Sequence, residues 1–157
     1  MAKILRLTPQ ERDAHGGATH KVIVTYADLT DTAATSLVQP VLPLSGTFTA
    51  GTTAALVAMK LITPFDGGAT SDLTVKVGDG GDDDRFLAAT IVHEDATEVD
   101  YAEGIHISHG YDAADALDVT WTATGANLSV LTTGEAHFLF AIRDAAETPG
   151  GSANPNT

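Results

Sequence analysis

From Leu117 to Thr124, apolar and polar side chains alternate without interruption: Leu117, Val119, Trp121 and Ala123 against Asp118, Thr120, Thr122 and Thr124. An extended strand sends successive side chains to opposite faces, so this segment predicts a strand with one face in a core and the other in water. The pattern recurs. Asp72–Val77 directs Leu73, Val75 and Val77 inward, and His20–Tyr26 sets Val22, Val24 and Tyr26 against Lys21, Ile23 and Thr25. Glu135–Arg143 aligns Ala136, Phe138, Phe140 and Ile142 on one face. Ala54–Ile62 is apolar almost throughout, as a strand covered on both sides would be, and Phe86–Val92 is another short apolar run.

Between these runs lie Asp66-Gly67-Gly68, Gly78-Asp79-Gly80-Gly81, Thr124-Gly125-Ala126-Asn127 and Thr133-Gly134, all suited to tight turns. Pro40 and Pro43 argue against a central strand around Val41-Leu42, because proline cannot donate to a ladder. Ala113–Ala116 has room for one helical turn, and no segment shows sustained helical periodicity with caps. Asn127–Thr133 is either a short strand of a meander or a corner crossing between sheets. Short strands joined by glycine-rich turns, without intervening helices, predict an all-β fold. The expected architecture is an antiparallel β-sandwich of jelly-roll or related Greek-key topology. Its expected core contains Val22, Val24, Val57, Leu73, Val75, Trp121, Phe138 and Phe140.

The 157 residues divide into an N-terminal arm (1–19), a sandwich domain (20–146) and a flexible tail (147–157). In the arm, Lys3, Ile4, Leu5, Arg6, Leu7 and Arg12 mix apolar with basic character, and Gly16-Gly17 reads as a flexible joint. Each exposed Leu or Ile forgoes about 1.5–3 kcal/mol of burial, so such an arm is poorly suited to remaining in water. It either reaches a neighbouring subunit or folds back on its own sandwich. The tail, Glu-Thr-Pro-Gly-Gly-Ser-Ala-Asn-Pro-Asn-Thr, has nothing to bury.

Composition narrows the function classes. With no cysteine, disulfides, zinc–thiolate sites and thiol nucleophiles are excluded. The opening residues carry no signal-like apolar run, and the longest apolar stretches fall short of the ~20 residues of a membrane helix. No membrane association is expected, and the protein reads as soluble and cytoplasmic. A net charge of −13 with eight scattered Lys and Arg does not suit nucleic acid, whose binding requires clustered cations. The charge is unevenly placed: four of the eight bases precede residue 22, whereas Asp79–Asp118 holds twelve acids and one base, Arg85. An acidic surface of this kind provides either solubility or an electrostatic docking face.

No catalytic constellation stands out. Asp79, Asp82, Asp83 and Asp84 could surround calcium, but EF-hand spacing is absent and an acidic loop tip also discourages edge-to-edge pairing. No required metal or other cofactor is expected. His106-x-x-His109, with Asp112 and Asp115, serves a ligand pair poorly, since an offset of three on a strand sends side chains to opposite faces. None of Ser36, Ser45, Ser71, Ser108, Ser129 or Ser152 lies in a nucleophile elbow, and no Walker loop occurs. Sequence does not single out a carboxylate pair for glycoside hydrolysis, and one Trp with three Tyr is little for a sugar-stacking cleft.

The order of segments resembles that of small β-sandwich decoration or cement proteins of tailed-phage capsids. The segments are Thr25-Tyr26-Ala27-Asp28-Leu29-Thr30, Val41-Leu42-Pro43-Leu44, and Leu61-Ile62-Thr63-Pro64-Phe65-Asp66-Gly67-Gly68 running into Leu73-Thr74-Val75-Lys76-Val77-Gly78-Asp79. Gly125-Ala126-Asn127-Leu128 and Thr133-Gly134-Glu135 complete the set, so the resemblance spans Val22 to Asp144. It implies a non-enzymatic virion protein, assembled in the host cytoplasm, that docks on the major capsid protein as a dimer or trimer and staples neighbouring capsomers. Related sandwiches also serve as head-fibre or tail modules that bind carbohydrate or a receptor. A small hydrolase is the remaining alternative.

Overall fold

The computed structural model describes residues 1–93, 100–101 and 108–143. The expected tail (147–157) and His106 lie outside the described residues. Two antiparallel sheets pack face to face, as expected of an all-β sandwich. The strands are β1 (Lys3–Arg6), β2 (His20–Thr25), β3 (Ser36–Leu42), β4 (Thr53–Asp66), β5 (Asp72–Asp79), β6 (Leu87–Ile91), β7 (Asp100–Tyr101), β8 (Ser108–Gly110), β9 (Leu117–Thr124) and β10 (Thr133–Arg143). The first sheet runs β1-β2-β10-β4-β7, with β8 also on β4, and the second runs β3-β9-β5-β6.

The inward faces follow the period-two pattern. Trp121 is fully buried against Phe65 and Phe138, at ring separations of 5.1 and 6.1 Å, and its indole Nε1 donates to Gln39 Oε1 at 2.9 Å. All eight expected core residues are buried, but Val57 lies in a second cluster with Leu7, Ala18, Ala58 and Leu139 rather than in the main core. β4 is thus covered on both sides over Leu56–Met59.

β3 carries Pro40 yet pairs with β9 through Ser36↔Thr122, Leu37↔Trp121 and Val38↔Thr120. It tolerates the proline because it is the edge of its sheet, with a missing donor only on the side that has no partner strand. Asn127–Thr133 is the corner crossing: β9 and β10 belong to different sheets, and a 3-10 turn at Leu128–Val130 joins them. Ala113–Ala116 forms no helical turn; Asp115 bridges Phe48 instead. At the same end of the sandwich as the Asn127–Thr133 crossing, Val92 ties the sheets together, donating to Leu73 O at 2.9 Å and accepting from Phe65 N at 2.8 Å.

The opening segment folds back on its own domain. β1 pairs with β2 through Lys3↔Ile23, Ile4↔Val22, Leu5↔Lys21 and Arg6↔His20. A short helix, α1 (Pro9–Ala14), follows. Thr8 Oγ1 accepts from Glu11 N at 3.4 Å and Glu11 Oε2 accepts from Thr8 N at 2.8 Å, which closes a capping box with proline in the first turn. At six residues this capped helix is too short for the sustained periodicity that marks a helix in sequence. Gly16 and Gly17, at φ 63° and 85°, form a hydrogen-bonded turn from Gly17 N to Arg12 O at 2.8 Å. This turn returns the chain so that Leu7 and Ala18 cover Val57, Ala58 and Leu139. Leu7→Ala should cost about 2 kcal/mol, the low end for a buried leucine, because the cluster is small and near the surface. Urea denaturation would check this, and no loss would mean that the segment contributes nothing to its own domain.

Candidate functional site

The four aspartates of the β5–β6 turn divide into one buried residue and three exposed ones. Asp79 continues the inward series Leu73, Val75, Val77, so its carboxylate enters the interior at the strand end. There it is fully engaged. Arg85 donates through Nε to Oδ2 at 2.6 Å and through Nη2 to Oδ1 at 3.3 Å. Gly81 N and Asp82 N each donate to Oδ1 at 3.0 Å, and the buried Tyr111 hydroxyl donates to Oδ2 at 3.2 Å. Burial alone would raise the Asp79 carboxyl, but the bonds from Arg85 and the two amides, with the charge of Arg85, outweigh it and hold the group below the ordinary carboxylate range. Tyr111 is shifted up by burial and by the Asp79 carboxylate, and stays a neutral donor. A Cβ at Gly78 would run into the backbone of Asp82 and Asp83, so only glycine lets the turn fold directly onto β5.

Asp82, Asp83 and Asp84 point outward, with ligand-type oxygens within 4.8 Å of one another, and Lys76 Nζ contacts Asp83 Oδ2 at 3.0 Å. Asp79, the remaining acid of this turn, is committed to Arg85, Tyr111 and two amides, which leaves a surface triad rather than a four-carboxylate cage. Replacing Asp82, Asp83 and Asp84 together with Asn should leave the melting temperature nearly unchanged in EDTA or calcium. A large calcium-dependent rise for the natural chain would show a specific site, because binding to the native state stabilises it.

Two more acids flank this end. Asp115 Oδ1 accepts from Gly80 N at 3.1 Å and from Ala116 N at 2.8 Å. Asp118 is raised by partial burial first, then by the Asp115 and Asp79 carboxylates. A carboxyl raised on folding gives its full stability below its ordinary value and loses it as pH rises through the folded one. Asp118→Asn should therefore stabilise the chain at neutral pH by under about 1 kcal/mol, with the gain fading toward pH 3. Parallel denaturation curves at the two pH values would check this.

The remaining candidates disperse. His109 lies on β8 and packs edge-on against Tyr111 at 4.8 Å, while Asp112 is exposed. His93 is buried at the other end of the sandwich, its Nε2 3.7 Å from Asp66 Oδ1. Ser71 Oγ donates to Thr124 O at 3.2 Å as part of a turn. Of the opening residues, Leu7 is buried, Ile4 packs on the core, and Arg12 Nε donates to Leu7 O at 3.1 Å. Lys3, Leu5 and Arg6 remain exposed on β1. The acid-rich turn is thus a structural keystone with an acidic rim. No protein-family model, curated protein or solved structure matches the chain.

Proposed function

We propose that this chain is a non-enzymatic structural protein of a tailed-phage virion: a decoration or cement protein that docks on the outer capsid surface and holds neighbouring capsomers together. The observation that supports this reading is the disposition of the aromatic and aliphatic side chains. Trp121 is wholly buried and Tyr111 is committed to Asp79. Among the described residues the exposed large apolar side chains are mainly aliphatic, namely Leu5, Val38, Leu44, Ile62, Ile91 and Val130, with Met1 and Tyr26 also exposed. Exposed aliphatic side chains can be covered by a protein partner, whereas a sugar needs a ring platform for stacking. The head-fibre or tail module that binds carbohydrate is the weaker alternative on this ground.

The strand order, with β9 between β3 and β5, fits a jelly-roll-related Greek key. The partners in this reading are the major capsid protein and further copies of the chain, as a dimer or trimer. Lys3, Leu5 and Arg6, on the outermost strand of the first sheet, are the part of the opening segment placed to touch a neighbour. Co-sedimentation with heads built from the major capsid protein encoded in the same genome tests the proposal. Saturable binding at a fixed ratio to capsid subunits, together with heads that survive higher temperature, is the expected result. Failure to bind heads, with retention on immobilised glycans, would overturn it in favour of the alternative.

A further inference from the structure

Asp-Gly, a dipeptide open to attack of a main-chain amide on the preceding side chain, occurs twice, as Asp66-Gly67 and Asp79-Gly80. Glycine has no Cβ to shield its nitrogen, so both pairs carry the same intrinsic reactivity. The fold treats them oppositely. Asp79 is buried, and its oxygens accept from Arg85, Tyr111 and the amides of Gly81 and Asp82. Gly80 N donates away from it, to Asp115 Oδ1. Asp66 instead keeps 46% of its side-chain surface in water and turns onto its own neighbour, with Gly67 N 2.6 Å from Oδ1. Oδ1 is bonded to Cγ, so this contact brings Cγ to about 3 Å from the nitrogen, a near-attack separation.

We infer that Asp66-Gly67 is a self-modification site, closing to a succinimide and reopening as an isoaspartyl link, with His93 as its proton carrier. Gly67 N forms a bond to Cγ of the protonated carboxyl. The carboxyl OH leaves as water, taking with it the proton that the nitrogen sheds. His93 is placed to carry this proton. Its ring is buried, its Nε2 has no hydrogen-bond partner among the described residues, and Asp66 Oδ1 lies 3.7 Å from that nitrogen. Contacts for proton transfer are often long before reaction and tighten in it. Water then adds to the ring. Addition at Cγ restores aspartate, whereas addition at the former main-chain carbonyl breaks its bond to Gly67 N and leaves the chain running through Cβ and Cγ. One water leaves and one enters, so composition is unchanged.

The position gives the reaction a consequence. Asp66 O accepts from Thr132 N at 2.9 Å, and Asp66 pairs with Thr133 at the start of β10. In the isoaspartyl form that carbonyl becomes a free carboxylate, and the backbone gains one carbon. The turn leaves little room for it, since even a Cβ on Gly67 would run into Val130 O and Leu131 Cα. The reaction therefore loosens the join between β4 and β10, whatever the protein binds.

Each passage through the ring leaves one heavy oxygen when the opening water is labelled. The full chain, folded or in guanidinium chloride, is incubated at neutral pH in water enriched in heavy oxygen and then digested with trypsin in ordinary water. Mass spectrometry compares Asp66, in peptide 61–76, with Asp79, in peptide 77–85. In the folded chain Asp66 should take up label at least about tenfold faster than Asp79, and faster than it does itself in denaturant, where the two sites should converge. His93→Gln should slow uptake at Asp66 in the folded chain and leave the rate in denaturant unaltered, with the melting temperature showing that the fold is kept. Folded uptake at Asp66 no faster than in denaturant, or equal to that at Asp79, would overturn the site without recourse to any variant. Undiminished uptake in a folded His93→Gln chain would overturn the part given to the imidazole.

Discussion

Trp121→Ala is expected to lower the unfolding free energy by about 3–5 kcal/mol, the range for truncating a large buried aromatic. The indole is 0% exposed and sits between Phe65 from β4 and Phe138 from β10, so its loss opens a void on the seam between the two sheets. Gln39 Oε1 loses its donor as well. Urea unfolding at neutral pH measures the effect. A loss below about 1 kcal/mol, typical of surface positions, would mean that the sheets do not pack through this residue.

Asp79→Asn is the second large effect, about 3 kcal/mol at neutral pH. This is the low end for breaking a buried ion pair, since Arg85 keeps 26% of its side-chain surface in water. The effect should depend on pH with a definite sign. The Asp79 carboxyl is held below its ordinary value in the folded chain, so between the two values the unfolded chain binds more protons and stability rises with pH. The contribution is complete above the ordinary value and is lost as pH falls through the folded one. The gap between natural chain and variant should therefore shrink from about pH 6 to about pH 2. A gap constant over that range would show that the carboxylate's charge is not what Arg85 and Tyr111 bind.

Alternation made the sandwich legible. Leu117–Thr124, Asp72–Val77 and Glu135–Arg143 each carry a half-buried period over enough residues to fix which face is inward. The same period held the clue to the acid-rich turn. Asp79 is the next inward position after Leu73, Val75 and Val77, yet as one of four neighbouring aspartates it reads as part of a solvated cluster. Its partner Tyr111 is 32 residues away, and local pattern has no means of pairing them. The helix Pro9–Ala14 was also written locally, in Thr8-Pro9-Gln10-Glu11, but at six residues it has no periodicity to find. Val57 was readable as buried; which side buried it depended on where the opening segment lay, and that depended on β2 being a sheet edge open to β1. β3 was hidden by Pro40 because its edge position follows from tertiary pairing alone.

The order β3-β9-β5-β6 also sets a timetable for synthesis. β9, residues 117–124, is the strand that both β3 and β5 need as a neighbour, yet it follows them by dozens of residues. In the other sheet β2 and β4 are joined only by β10, residues 133–143, the last described strand. While the ribosome is still making the first two thirds of the chain, β1–β2 and β5–β6 can form as hairpins, but neither sheet can assemble. The apolar β4, bonded along most of its length to β10, would wait uncovered until the end. Folding of such non-local pairings is slow and late, and the nascent chain should be most vulnerable to aggregation and most dependent on chaperones just before β10 emerges.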